Sequence, residues 1–194
     1  DLGEAYHKTG QFKKEKALYK KAEKDFPGYP VLLYRQTALA FTEGDSINAN
    51  RYIKKFRSYL ADNSIPEAEI SMIIGQFYLE ANVLDKAEEY FRRVISEMPD
   101  NAIVMNALAW LLINQDRNVD EGMELVDKAL KLSPNDCDYL DTKGWGLFKK
   151  GEYQLALEMI QKSWDIRMKD AIYSQESFDH LEAAKKAVAR QVNN

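Results

Sequence analysis

Few side chains in this chain could run acid–base, nucleophilic or metal chemistry, and they lie far apart. There are two histidines, His7 and His180, and one cysteine, Cys137. Catalysis needs a nucleophile or base within hydrogen-bond reach of its partners. The histidines stand near opposite ends of the chain, and neither is close in sequence to Cys137. No His/Cys spacing matches a metal site. His180, in the run Phe178-Asp179-His180-Leu181, is read as a helix-packing residue. Asp136, Asp138 and Asp141 fall at the start of a helical segment, where negative charge suits the helix dipole. A second role for these acids is a patch that receives a basic partner. Gly144-Trp145-Gly146 lacks the Lys-Ser/Thr of a phosphate loop and follows no strand. The chain therefore reads as non-enzymatic, with no cofactor and no metal.

The totals narrow the classes further. The 194 residues are 45% hydrophobic and 30% charged, with a formal net charge of −4. Nucleic-acid binding needs a concentrated positive field, so this balance argues against it. Lys13, Lys14, Lys16, Lys20, Lys21 and Lys24 cluster near the start, but Glu15, Glu23 and Asp25 are mixed among them. That pattern reads as a solvated helix face. One cysteine excludes an internal disulfide and fits reducing and oxidising compartments alike. No apolar run reaches the ~18 residues of a membrane span, and no signal peptide is visible.

These residues are positioned by a periodic framework. Gly10 and Gly44 are 34 apart, and the small residues Ala49, Ala87, Gly122 and Ala156 follow one another at 38, 35 and 34. A parallel ladder runs Gly3, Thr37, Gly75, Ala109, Gly144. Between rungs the apolar spacing is helical: Ala87, Tyr90, Phe91, Val94 and Ile95 fall at i, i+3, i+4, i+7 and i+8. Turns stand at 9–11, 43–45 and 150–152. Ser64 with Glu67, and Asn118 with Glu121, have the spacing of a capping box, with Pro66 in the first turn. Strand signals are nearly absent. The pattern predicts an all-α chain of about eleven helices: 1–9, 11–25, 30–42, 46–61, 66–81, 84–97, 101–115, 119–132, 136–150, 152–165 and 173–191.

The unit Ile74-Gly75-x2-Tyr78, Ala87-x3-Phe91, Pro99 closely resembles the tetratricopeptide repeat signature, lacking only its first Trp. Leu2-Gly3-x2-Tyr6 and Leu108-Ala109-x2-Leu112 repeat its first half, and Gly144, Gly151, Tyr153 and Ala156 mark a further unit. Thr37 stands where Gly or Ala is usual, Phe56 where Ala is usual, and four extra residues fall around Ala61 to Ile65. The resemblance covers essentially the whole chain, and after Asp100 it is to bacterial members, of the cytoplasm or the cell envelope. It implies a right-handed superhelical α-solenoid of stacked antiparallel helix pairs over 1–194. Its parts would be a partial unit 1–29, units 30–63, 64–101, 102–136 and 137–170, and a closing helix in 171–194. The chain is expected to begin inside a unit.

The resemblance also implies which residues line the concave face, namely set positions on the first helix of each unit. Those singled out as partner-binding are Tyr34 and Phe41; Met72, Gln76 and Leu79; Asn106, Trp110 and Ile113; and Asp141, Trp145 and Phe148. Trp110 and Trp145 are 35 apart, one unit, and are expected to stack as neighbours along the groove. Each alternatively fills space between adjacent first helices. The Lys/Asn/Arg set with which some members hold a terminal carboxylate is not assembled. The expected function is an interaction scaffold that binds a protein or peptide segment against aromatic anchors. A self-association module using the exposed first edge, or a sensor of a small ligand, is the alternative.

Overall fold

The computed structural model describes residues 2–192, with eleven helices and no strand among them. They are α1 (Leu2–Lys8), α2 (Phe12–Asp25), α3 (Pro30–Thr42), α4 (Ser46–Asp62), α5 (Glu67–Glu80), α6 (Leu84–Glu97), α7 (Ala102–Asn114), α8 (Val119–Leu132), α9 (Cys137–Lys149), α10 (Tyr153–Lys169) and α11 (Gln175–Val192). The expected 30–42, 84–97 and 119–132 are met to the residue. The start of the first helix, expected at residue 1, lies outside the described residues. The chain forms two compact units, 1–94 and 95–194.

Each hairpin turn closes in the same way. Gly10, Gly44 and Gly151 have φ near +70 to +80°, while Asn82 (φ 56) and Asp116 (φ 51) occupy the matching place in the other two turns. In every case the next N–H reaches back to the carbonyl five residues earlier: Gln11 to Tyr6, Asp45 to Ala40, Val83 to Tyr78, Arg117 to Leu112 and Glu152 to Leu147. This is the Schellman end of a helix, which satisfies carbonyls that the helix itself cannot. Asn and Asp serve where Gly is missing because their short polar side chains tolerate the left-handed region.

Ser64 departs from its expected role. It has φ 61 and closes the end of α4, and Pro66 rather than Ser64 precedes the first residue of α5. The extra residues near Ala61 lengthen α4 to 17 residues, against 14 in α2, α6 and α8. The helix absorbs the insertion as almost one further turn. The box at Asn118 forms as expected: its Oδ1 accepts from the Glu121 N–H at 3.3 Å, and its Nδ2 donates to Glu121 Oε2 at 3.1 Å. α10 runs on to Lys169, four residues past the expected end.

In unit 1, Tyr19, Leu32 and Leu39 form a core cluster with Phe12, Leu18 and Ala22 around it. Phe56, large where a small residue is usual, is buried against Phe77 with ring centroids 5.2 Å apart. Thr37 is buried and satisfies its hydroxyl on the Leu33 carbonyl at 2.7 Å. In unit 2, Ile113, Met123, Leu147 and Ala156 form one cluster, and Ile160, Leu181 and Ala184 form a second. The ladder of small residues marks helix crossings. A Cβ on Gly144 would lie 2.5 Å from Ile160 Cγ1 and 3.2 Å from the Ala156 carbonyl oxygen, on α10.

Candidate functional site

In unit 1 the first helices α3 and α5 carry the expected anchors, and α1 adds a wall. Tyr34 is half-buried, with its ring edge-on to Phe77 at 4.7 Å and its hydroxyl donating to Glu80 Oε2 at 2.7 Å. Gln76 is exposed and donates to the other oxygen of Glu80 at 3.3 Å. Glu80 thus gathers two expected contact residues that are 42 positions apart (76 − 34). Burial, with Glu80 beside it, pushes the Tyr34 phenol up to about 12. Phe41 is half-buried and edge-on to Tyr78 at 5.7 Å. Tyr34, Phe41, Thr42 and Glu80, with His7 from α1, border a cavity of about 330 Å3. Met72 and Leu79 are half-buried on α5.

His7 is tied into this wall. Its Nδ1 lies 3.1 Å from both oxygens of Glu15, a carboxylate that is only 1% exposed, and its Nε2 faces the Thr42 hydroxyl at 3.5 Å. The arrangement is a buried acid held by a histidine, and the Thr42 hydroxyl opposite the other ring nitrogen donates to the Ala38 carbonyl at 3.0 Å.

In unit 2, α7 and α9 carry the other anchors, and here the structure corrects several expectations. Ile113 is fully buried rather than lining a groove: it fills the hollow left by two glycines, with Cγ1 2.7 Å from a Cβ built on Gly122 and Cδ1 3.1 Å from one on Gly146. Asp141 is 6% exposed and does not contribute to an acidic rim. It accepts from Ser177 at 3.3 Å and pairs with His180 Nδ1 at 2.9 Å, both on α11. Ser177 bonds the carboxylate and not the imidazole, so these three side chains do not form a hydrolytic triad.

Trp145 is half-buried, but it does not stack on Trp110. Its ring lies parallel to His180 at 4.1 Å and to Phe148 at 4.7 Å, and its Nε1 donates to Asn114 Oδ1 at 3.3 Å. Lys149 lies over the same ring at 5.8 Å. Of the two expected roles of Trp145, packing between neighbouring helices is therefore the larger. Phe148 is half-buried between Trp145 and Tyr153. Trp110 and Asn106 are half-buried on α7, and the Asn106 Oδ1 is shielded with no hydrogen-bond partner. His180 was legible from the ladder: it lies 35 beyond Trp145, as Trp145 lies 35 beyond Trp110.

The remaining reactive groups are structural. Asp136 caps α9, accepting from the N–H groups of Asp138 and Tyr139 at 2.9 and 3.2 Å. Asp138 pairs with the buried Arg167. Burial pushes the Cys137 thiol above its usual range, which lowers its thiolate fraction and its reactivity. Among the described residues no three His, Cys, Asp or Glu side chains converge as metal ligands, and no helix is long and apolar enough to cross a membrane.

Models of the tetratricopeptide repeat match residues 78–144 and 1–24. A TPR repeat-containing protein of Pseudomonas aeruginosa is 28% identical over 149 residues, covering 75% of this chain and 24% of that protein. The chain thus spans about a quarter of that relative's length. Among solved structures, a tetratricopeptide repeat protein from Parabacteroides merdae superposes with a TM-score of 0.68 at 18% identity, over 94% of this chain and 68% of that one. The first TPR of Spaghetti, bound to an HSP90 peptide, gives 0.55 at 14% identity, over 63% of this chain and 94% of that one. The repeated signature, the eleven helices with their recurring turns and these matches agree: the chain carries tetratricopeptide repeats.

Proposed function

We propose that this chain is a non-enzymatic interaction module that binds a peptide segment on the first-helix faces of its hairpins. The observation that carries the reading is a set of half-buried aromatic side chains on those faces. In unit 1 these are Tyr34 and Phe41, with Gln76 and Glu80 next to them. In unit 2 they are Trp110 and Phe148, with Asn106 on the same helix as Trp110. Rings of this kind remove much area from water on binding and freeze few rotors, so they act as anchors. A likeness to a repeat structure holding a peptide supports the same reading.

The test begins with peptides selected from a displayed random library on the wild-type protein. Trp110→Ala and Tyr34→Ala are then titrated with those peptides. Both rings are half-exposed, so the helices survive the truncation. Loss of an anchor of ~1.4 kcal/mol or more weakens binding about tenfold. Unchanged affinity in both variants, with unchanged circular dichroism, overturns the reading.

A further inference from the structure

The residues of α3 divide between two sides. Tyr34, Ala38 and Phe41 turn to the face described above, whereas Gln36, Leu39, Ala40 and Glu43 lie about half a helical turn away. That second side, with α2 and α4, encloses a cavity of about 450 Å3, a size typical of ligand sites. Tyr19, Leu39 and Ala40 give it an apolar floor, with Tyr52 beside them.

Its charges are unlike those of the chain as a whole. Five cationic side chains border it, Lys16, Lys20, Lys24, Arg51 and Lys55, against three carboxylates, Glu23, Glu43 and Asp45. All three carboxylates are already engaged. Glu43 holds Lys16 at 2.7 Å, Glu23 holds Lys55 at 3.4 Å and the Gln36 amide at 2.8 Å, and Asp45 caps α4 through the Asn48 N–H at 3.0 Å. Among the described residues, no carboxylate pairs with Lys20, Lys24 or Arg51. Arg51 lies over the Tyr52 ring at 5.2 Å and donates to the Tyr52 hydroxyl at 3.4 Å, contacts that leave it without an ion pair. In a protein of net charge −4, three cations without an ion pair around an apolar floor form a local site for negative charge. The wall also holds the Gln36 side-chain oxygen Oε1, which is buried with no donor.

We propose that this cavity between α2, α3 and α4 is a second docking site, which takes an acidic peptide segment carrying apolar side chains. The acids of such a segment pair with Lys20, Lys24 and Arg51, its apolar side chains cover Tyr19 and Leu39, and a backbone N–H at the wall supplies the donor that Gln36 lacks. The carboxylates interleaved among the cations disfavour a nucleic-acid strand, whose phosphates are continuous and carry no apolar side chains. The site lies on the other side of α3 from the first-helix face, so it stands or falls independently of the function proposed above.

The probe is a fluorescein-labelled peptide of alternating aspartate and leucine, followed by anisotropy on the whole chain. Lys20→Glu with Arg51→Glu reverses two cavity charges. Lys21→Glu with Lys54→Glu, both exposed and outside the cavity lining, makes the same change of net charge on the same two helices. The cavity pair weakens binding about tenfold or more and the outside pair at most about threefold, while Tyr34→Ala leaves it unchanged. Equal losses in the two pairs mean a diffuse field and overturn the proposal. So do equal binding of a lysine–leucine peptide, binding of single-stranded oligothymidylate as tight as the acidic peptide, or no binding to the wild type.

Discussion

Gly144 and Gly146 flank the same tryptophan, yet replacing each by alanine has different consequences. Both sit inside α9, so both substitutions gain ~1 kcal/mol of helix propensity. They differ in what the new methyl group meets. At 144 it lies 2.5 Å from Ile160 Cγ1, 3.1 Å from the Ile160 nitrogen and 3.2 Å from the Ala156 oxygen. Ile160 is fully buried and β-branched, so it has almost no alternative rotamer in a helix. The other two atoms are backbone, so α9 and α10 must move apart. Overpacking of this kind costs ~1–3 kcal/mol, and contact with backbone puts it at the upper end. At 146 the nearest atom is Met123 Sδ, with Ile113 Cδ1 at 3.1 Å. A methionine tail has several rotors and can withdraw. Gly144→Ala is therefore destabilised by about 2 kcal/mol net, whereas Gly146→Ala stays within ~1 kcal/mol of the wild type. Trp110, Trp145 and Trp164, the three tryptophans of the chain, all lie in unit 2, so their fluorescence in a urea titration follows that unit. A Gly144→Ala protein as stable as the wild type, or a larger loss from Gly146→Ala, refutes the packing argument.

Three further outcomes follow from the geometry. Removing the carboxylate in Asp141→Ala leaves His180 buried without its acceptor; a loss of ~1–3 kcal/mol in the same fluorescence titration is expected, and Asp141→Asn recovers part of it. Tyr34 has a phenol raised to about 12 by burial and by Glu80, so the stability it contributes is complete below its unfolded value of ~10 and is lost as the pH rises from there to about 12. Carbon NMR of labelled tyrosine reads that titration, and Glu80→Gln moves it down. The Asp45 carboxyl is held below its ordinary range, first by the Asn48 side-chain amide and then by the Asn48 N–H, so its contribution is present above its unfolded value of ~3.9 and is lost as pH falls through the folded one. The melting difference between Asp45→Ala and the wild type accordingly shrinks in acid.

Much of the fold was legible because it repeats. One turn geometry recurs whenever a residue tolerant of positive φ follows a helix, and small residues at fixed offsets identify the crossings. Ile113 shows where periodicity stops informing. Spacing puts it on the first-helix face, but Gly122 and Gly146 have no side chains to fill the space around it, so it sinks into the core. That outcome depends on two residues from different helices, and no local pattern carries it. The Asp141–His180 pair has the same character, because its partners are 39 apart and belong to no shared rung. Gly146 itself had no counterpart among the earlier units; it makes room for Met123 of the preceding hairpin.

The row of aromatic groups in unit 2 is shaped by the helix packed beside α9. Each first helix offers one face to the helix before it and one to the helix after it, so a ring between two such helices is covered from both sides. Trp145 is in that position: Asn114 of α7 holds its nitrogen, and His180 of α11 covers its ring. The buried His180 stacks its flat ring on the indole while Asp141 takes its Nδ1. α11 therefore takes Trp145 out of the exposed row. It leaves Trp110 as the tryptophan of the first-helix face in unit 2 with area still to bury, which is why Trp110→Ala and not Trp145→Ala separates loss of binding from loss of packing.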